Sequence, residues 1–557
     1  MSRALKWQVL IAAVGFVVVA ILLGSAASST SAPRTVEVPV GGGTFVEGVI
    51  GQPKYLNPIL SQSNPVDQDI SALVFSGLTR VMDDGTVVPD LAEKWDVSQN
   101  GMTYTFQLRK DVKWHDGMPV VADDVVYTVK AIQDPNYPGN PAVADLWKNI
   151  AVEKMPNNRV QFVLSDAYAP FLENTTLGLL PSHLLGGVSS KKLPESKFNV
   201  APIGTGRYKV TEASLREVVL DVNGDYYGEK PLLDKLRFRF YPDSKAALNA
   251  LRVDEVEGVG YLGPGDVSRL SADRTLNLYS APEFSKVTLL ILNTKTPVFA
   301  EKAVRQALAY AIDRQKLIDV AAGGQAVRSD SPVLPVSWAY NREVKKYDYR
   351  PDEAIALLEG AGWRDVDGDG IREKGNQKLT FVLLTNDKAQ RVTTAQEISR
   401  QLEGVGFKID VQATGWTGFV EDFLVPRNFH AVLAEQWSPN SDPDSYQFWH
   451  SSQAKPGGLN FAMWTNRLAD ELLENARRTT NIADRAKSYR DFQTLFADEA
   501  PGILLYFPVF NYAVDKNVKG VRLGTLTDPS RRFDHISEWY ARSKRVPVDD
   551  KGKVKLD

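Results

Sequence analysis

The chain has 557 residues, too many for one compact core, so two or three lobes are expected. Its composition is ordinary for a globular protein, 43% hydrophobic and 24% charged with a net charge of −3, and no basic run points to a nucleic-acid partner. Cysteine is absent, which removes thiol nucleophiles, thiolate metal sites and lipid attachment through an N-terminal cysteine.

At the N-terminus, Arg3 and Lys6 precede an apolar run from Val9 to Leu23, followed by Gly24-Ser25-Ala26-Ala27. A charged start, an apolar stretch and a small-residue site form the pattern of a secretory signal. The protein is therefore expected outside the cytoplasm, in a periplasm or on the outer face of the cytoplasmic membrane. The apolar run is short beside the roughly 17–25 residues of a transmembrane helix. Uncleaved, it would still tether the protein with both cations inside. Residues 1–27 are read as signal peptide or membrane anchor, and the Ser-, Ala- and Pro-rich residues 28–43 as a flexible linker.

Thr44–Ile50 has strand character, followed by Tyr55-Leu56-Asn57-Pro58, a polar loop at Ser61-Gln62-Ser63-Asn64 and a helix-like run Ile70–Leu78. From 80 to 200, hairpin signals alternate with short helices. Asp83-Asp84-Gly85 and Asn100-Gly101 mark tight turns. Asp123-Asp124 place carboxylates to start a helix Val125–Ile132. A strand Val160–Leu164 and a helix Pro170–Leu180 complete a small α+β unit. Gly204-Thr205-Gly206 allow a tight turn before the strand Tyr208–Thr211, but no GK[ST] follows, so this is no phosphate loop. Leu236–Tyr241, a helix Ser244–Leu251 and Val256–Tyr261 give a strand–helix–strand unit.

A further region opens with the apolar strand Val287–Leu292. The next helix carries Val304, Ala307, Leu308 and Ala311 on one face and is stopped by Gly323-Gly324. Pro351, Asp352 and Glu353 open another. Strand Leu379–Thr385, helix Ala395–Leu402 and strand Lys408–Gln412 continue the α/β alternation. Gln436–Asn466 then sets Trp437, Tyr446, Phe448, Trp449, Phe461 and Trp464 among Pro, Gly, Ser, Asn and Asp. That is turn chemistry carrying large aromatic surfaces; the wall of a binding cleft and a long loop pinned to a core both fit it. A helix around Ala469–Ala476 and a strand Ile503–Phe507 follow, and from Arg542 the tail is charged and expected to be loose. The chain thus leaves a first lobe, builds another and returns.

Asp365-Val366-Asp367-Gly368-Asp369-Gly370 has calcium-loop spacing, with Asp365, Asp367 and Asp369 as ligands, but the closing bidentate position falls on Asn376. A structural calcium and a plain acidic turn both fit. Neither G-x-S-x-G, H-E-x-x-H nor a P-loop occurs, and no other cofactor is required. A glycosidase-like carboxylate pair stays open by motif alone, which keeps a secreted hydrolase as an alternative.

Several of these stretches in order carry a resemblance: Tyr55–Pro58, Pro89–Trp95, Thr103–Arg109 with Val112–Gly117, Ile203–Gly206, Val304–Leu308 through Ile312-Asp313-Arg314, and Leu357–Trp363. Over roughly residues 40–540 the chain resembles the extracytoplasmic solute-binding proteins of the dipeptide/oligopeptide/nickel class, which serve ABC importers. The resemblance implies an α/β, two-lobed periplasmic-binding-protein type II fold with an extra inserted α+β domain. Lobe I would comprise 44–79, 200–286 and 510–541, the insert 80–199, lobe II 287–509, and 542–557 a charged tail. It further implies a non-enzymatic receptor that traps a small solute, by family weight a short peptide, through hinge closure. The partners would be permease subunits in the membrane and a cytoplasmic ATPase; a sugar or metal chelate is the alternative ligand. Trp114-His115-Asp116-Gly117 would be a structural turn.

In peptide-binding relatives an Asp shortly after the loop tryptophan pairs with the peptide's amino terminus. Here Trp437-Ser438-Pro439-Asn440-Ser441-Asp442 is one residue shorter, and Asn440, without charge, stands near that position. Asp442 either serves instead or is structural. Trp416 and Trp437 are expected as apolar walls, and Asn293, Asn440, Asp442 and Asn460 as polar anchors. Ser61, Gln62, Tyr261 and Ser441 complete the expected binding set.

Overall fold

The protein's structure, a computed structural model, describes residues 35–437 and 441–547 together with 14, 15 and 17. The expected signal or anchor falls outside the described residues apart from those three, as do Asn440 and the end of the tail. Among the described residues no helix is long and apolar enough to cross a membrane.

One mixed sheet runs through both lobes of an α/β fold. Lobe II contributes Lys408–Thr414, Thr380–Asn386, Ala431–Trp437 and Lys286–Leu292; lobe I contributes Gly258–Val259, Thr44–Ile50, Lys235–Tyr241, Glu217–Val222 and Tyr208–Ala213. Between the two groups runs the 14-residue strand Gly502–Asp515. Its first part pairs with Lys286–Leu292, its second with Gly258–Val259 and Leu276–Pro282. A single strand therefore joins the lobes. Pro508, near its middle, has no N–H to give a ladder but accepts from Glu283 N through its carbonyl at 2.8 Å.

Lys286–Leu292 is buried from Val287 onward because both sheet faces are covered. Period-two alternation sends Leu290 and Leu292 into one apolar core, with Leu383 and Leu433, and Leu289 and Ile291 into a second, with Val432 and Ala434. The inserted region builds a four-stranded antiparallel sheet from Ala92–Val97, Thr103–Leu108, Arg159–Val163 and Ala151–Met155. It does not close a core of its own. Tyr104, Phe106, Phe162 and Phe171 belong to the same buried cluster as Phe45 and Leu236 of lobe I.

The Trp114–Gly117 turn helps fasten these parts. The Trp114 indole donates to Asp124 at 3.0 Å, and Asp124 also accepts from Val121 N and Ser182 N. His115 accepts from Gly204 N through Nδ1 at 3.2 Å and reaches Gly206 O through Nε2 at 3.1 Å. Burial lowers this imidazole to about 4, so it stays neutral and links the insert to lobe I. Glycine is required at 204 and 206, where a Cβ would lie 1.9 Å and 2.3 Å from the carbonyl oxygens of Val74 and Leu73.

Several elements differ from the sequence reading. The helix expected over Ile70–Leu78 is Pro65–Val74, capped by the Asn64 side chain accepting from Val66 N. The helix expected over Pro170–Leu180 is only Phe171–Asn174, because Thr79 and Thr175 exchange a side-chain hydrogen bond and Thr175 O accepts from Leu78 N. The stretches read as linker and loose tail are partly ordered: Thr35–Pro39 pairs antiparallel with Ser543–Pro547, Thr35 opposite Pro547.

Lobe I also hides an ion cluster. Arg532 makes two hydrogen bonds to Asp69 at 2.6 and 2.7 Å and one to Glu47 at 3.0 Å, and Tyr512 Oη donates to Glu47 at 2.6 Å. All four residues are 2% exposed or less. The cluster ties the first strand and first long helix of lobe I to residues some 460–490 positions later.

Candidate functional site

The insert and lobe II meet at a two-pronged latch. Glu173, on the short helix Phe171–Asn174, accepts from Ser441 N at 2.5 Å and from Asp442 N at 2.7 Å. Nearby, Ala169 N donates to Arg477 O at 2.7 Å, and the Arg477 guanidinium lies 4.9 Å above the Tyr168 ring. Burial pushes the Glu173 carboxyl up to about 7; the Asp442 charge adds to this, while the two backbone N–H groups and Arg531 oppose it.

Behind this latch the loop is braced from within lobe II. Both Asp442 oxygens accept from Arg485 Nη2, at 2.7 and 2.8 Å, and Asp444 accepts from Arg477 Nε at 2.8 Å. Burial raises the Asp442 carboxyl, and the Arg485 guanidinium beside it opposes that rise. The carboxylate expected to anchor a ligand ammonium is therefore already matched, and Asp442 is corrected to a structural residue.

A polar cavity of about 690 Å3 lies where lobe I, the insert and residues 522–538 meet, with Glu173 and Ser441 in its wall. Phe75, Ser76, Gly77 and Thr79 form one side; Asp90, Tyr226 and Tyr227 lie on another. Its size suits a small ligand. A separate apolar space of about 150 Å3 lies within lobe II between Leu289, Ile291, Leu424, Phe448 and Phe461.

Among the described side chains of the expected binding residues, only Ser441 lines the large cavity. Asn293 and Asn460 are corrected to buried structural residues. Asn293 donates to Phe429 O and accepts from Lys295 N; Asn460 donates to His450 O and Trp464 O. Polar side chains in long loops satisfy backbone groups that would otherwise be orphaned. Ser61 and Gln62 both donate to Pro58 O, holding their own turn. Tyr261, at φ 57°, packs edge-on against Phe510, and Trp416 is 61% exposed. Of Trp437 only the backbone is described, paired opposite Lys286. Within the aromatic stretch Trp449 and Trp464 are buried in the lobe II core, so for these two the pinned-loop reading holds.

At the acidic loop, Asp365 accepts from Gly368 N and Gly370 N, and Asp365, Asp367 and Glu373 come within 4.8 Å of one another. The Lys378 ammonium binds Asp367 at 2.9 Å and also reaches Asp369, bringing positive charge to the carboxylates that a calcium ion would use. Glu173 itself went unread, because a single Glu before Asn174-Thr175-Thr176 carries no motif and its partners lie 268 and 269 residues away.

Comparison with known proteins supports the same picture. A family model described as bacterial extracellular solute-binding proteins, family 5 Middle, matches residues 86–458. The chain is 30% identical to the oligopeptide-binding protein AppA of Bacillus subtilis over 526 residues, covering 93% of this chain and 95% of that protein. That protein's structure in complex with a nonapeptide superposes with a TM-score of 0.67 over 90% of this chain and 99% of the other. The dipeptide-binding protein of Escherichia coli is 29% identical, covering 90% and 96% of the two chains. NikZ of Campylobacter jejuni, solved with Ni(L-His), gives a TM-score of 0.68 at 28% identity over 89% of this chain and 99% of that one.

Proposed function

The chain belongs to the bacterial extracellular solute-binding proteins of family 5, and on that premise we propose that it is the substrate-binding component of an ABC importer whose ligand is a short peptide. The family captures solutes rather than transforming them. The observation that carries the reading is the cavity of about 690 Å3 beside the contact of loop 441–442 with Glu173. A ligand touching both sides of such a contact favours the closed state by its extra affinity for it. The loaded protein would then dock on permease subunits driven by a cytoplasmic ATPase. Residues 1–27, if uncleaved, would hold it at the outer face of the membrane.

A metal chelate is the second reading, favoured by one observation: Arg485 already pairs with Asp442, so this residue is unavailable to hold a peptide ammonium. Native mass spectrometry of protein exported by its own host separates the two. A co-purified ladder of short peptides supports the peptide receptor. A bound nickel or other metal chelate, with no peptide retained after incubation with a peptide digest, would overturn it.

A further inference from the structure

The cavity's wall divides electrostatically. Arg522 pairs with Asp83 and Glu538, and Arg531 with Asp534. Glu229 and Asp528 accept from Ser537 and Ser530, and Glu173 accepts from loop 441–442. Arg80, Arg109 and Arg207 line the same cavity, yet among the described residues no carboxylate oxygen lies within 4.0 Å of any of their guanidinium nitrogens.

These three share the cavity wall with the carboxylate of Asp90. Arg109 Nε donates to Asp90 O at 2.7 Å, and Tyr227 Oη donates to the Asp90 carboxylate at 2.5 Å. Burial raises Asp90, and Arg80, Arg207 and Arg109 all act against that rise. Arg109 lies 5.8 Å above the Tyr227 ring and Arg207 5.9 Å above that of Tyr226, two rings themselves 4.7 Å apart. An aromatic ring engages the face of a guanidinium and leaves its N–H edge free. Arg80, on the strand Thr79–Val81, is exposed. Three arginines without a carboxylate partner thus line the cavity together with one carboxylate that already accepts from a tyrosine. The wall as a whole carries seven carboxylates against five arginines, but these three guanidinium groups are the ones no carboxylate pairs among the described residues, and a planar carboxylate fits a guanidinium fork with two hydrogen bonds.

We propose that Arg80, Arg109 and Arg207 form an anion subsite that takes a carboxylate of the ligand. This rests on the cavity being the ligand site, and it deepens the peptide reading by requiring a free carboxylate, whether at the C-terminus, on an acidic side chain or on a free dicarboxylic acid. Arg109 also holds Asp90 O, so the test uses the double variant Arg80→Gln/Arg207→Gln, with Arg80→Lys/Arg207→Lys keeping the charge.

Wild-type and variant proteins are incubated with a casein digest, with the same digest methyl-esterified at every carboxyl, and with glutarate. Retained mass is read by native mass spectrometry and folding by thermal midpoint. The wild-type protein should retain the free-acid digest at least tenfold over the ester. The Gln variant should lose that preference at an unchanged midpoint, and the Lys variant should keep most of it. Equal retention of both digests by the wild-type protein overturns the subsite and leaves the peptide reading standing. Arginine-dependent retention of glutarate with neither digest bound does the reverse. A wild-type protein that binds no probe, or a Gln variant that keeps the full preference, also overturns the subsite.

Discussion

Glu173 offers a direct test of the latch. With Glu173 seated against loop 441–442, burial lifts its carboxyl from the ordinary 4.5 to about 7, and separating that contact would return it towards the ordinary value. A raised value means that closure takes up a proton. The contribution to closure is fully present below pH 4.5 and is lost as pH rises through about 7. Each pH unit between the two values is worth about 1.4 kcal/mol, so the whole span amounts to about 3 kcal/mol, or roughly two orders of magnitude in the open–closed equilibrium. The groups facing Glu173 are Asp442, paired to Arg485, and Arg531, paired to Asp534. Glu173→Gln removes the titration. It also sets an amide NH2 against one of the two backbone N–H donors, which weakens closure by about 1–2 kcal/mol at every pH. The assay is small-angle scattering of unliganded protein from pH 4.5 to 8. Wild-type protein should expand as pH rises, and the Gln variant should be insensitive to pH over that range. Parallel profiles for the two proteins would refute the argument that burial at this contact governs opening.

Asp442→Ala should destabilise lobe II by about 3–5 kcal/mol in urea unfolding, because Arg485 would be left buried and unpaired, and a loss below 1 kcal/mol would remove the structural assignment. Arg532→Leu should cost a similar amount near neutral pH. Burial raises both Glu47 and Asp69, so stability in that variant should recover as pH falls and the carboxyls protonate, measurable as a midpoint that climbs on acidification. Lys378→Ala frees oxygens of Asp367 and Asp369 and should strengthen calcium binding at the acidic loop, read by calorimetric titration; unchanged calcium affinity would mean that the ammonium does not compete. Asn460→Ala should lower stability by about 1–3 kcal/mol without changing ligand affinity, since its amide serves His450 O and Trp464 O.

The lobes were legible because local signals suffice for them. Alternating or continuous apolar runs mark Lys286–Leu292 and Lys408–Thr414, and Gly323, in the left-handed region, marks a helix end. The linking strand extends well past the expected Ile503–Phe507: Pro508 gives no N–H, yet Gly502–Asp515 runs on, the Pro508 carbonyl accepting from Glu283 N. The site was far less legible. Loop polarity suggested ligand contacts at Asn293 and Asn460, but buried backbone groups had the stronger claim on those amides. Asp442 looks free until Arg485, 43 residues on, is folded beside it. The arginines that share the cavity wall with Asp90 come from three separate strands and turns, and no local pattern announces that they line one cavity.

The pairing of Thr35–Pro39 with Ser543–Pro547 has a mechanical consequence. The ribbon is antiparallel and Thr35 faces Pro547, so the first residue of one strand and the last of the other lie at the same end of it. A pull that spreads Thr35 from Pro547 would load the hydrogen bonds one at a time, unzipping the ribbon rather than shearing it. Beyond the ribbon, where Val40 N is bonded to Arg542 O, the force reaches lobe I through Gly42 N bonded to Leu232 O. Lobe II, joined through its paired strands farther inside the fold, would be shielded from such a load, free to swing while its partner takes the strain.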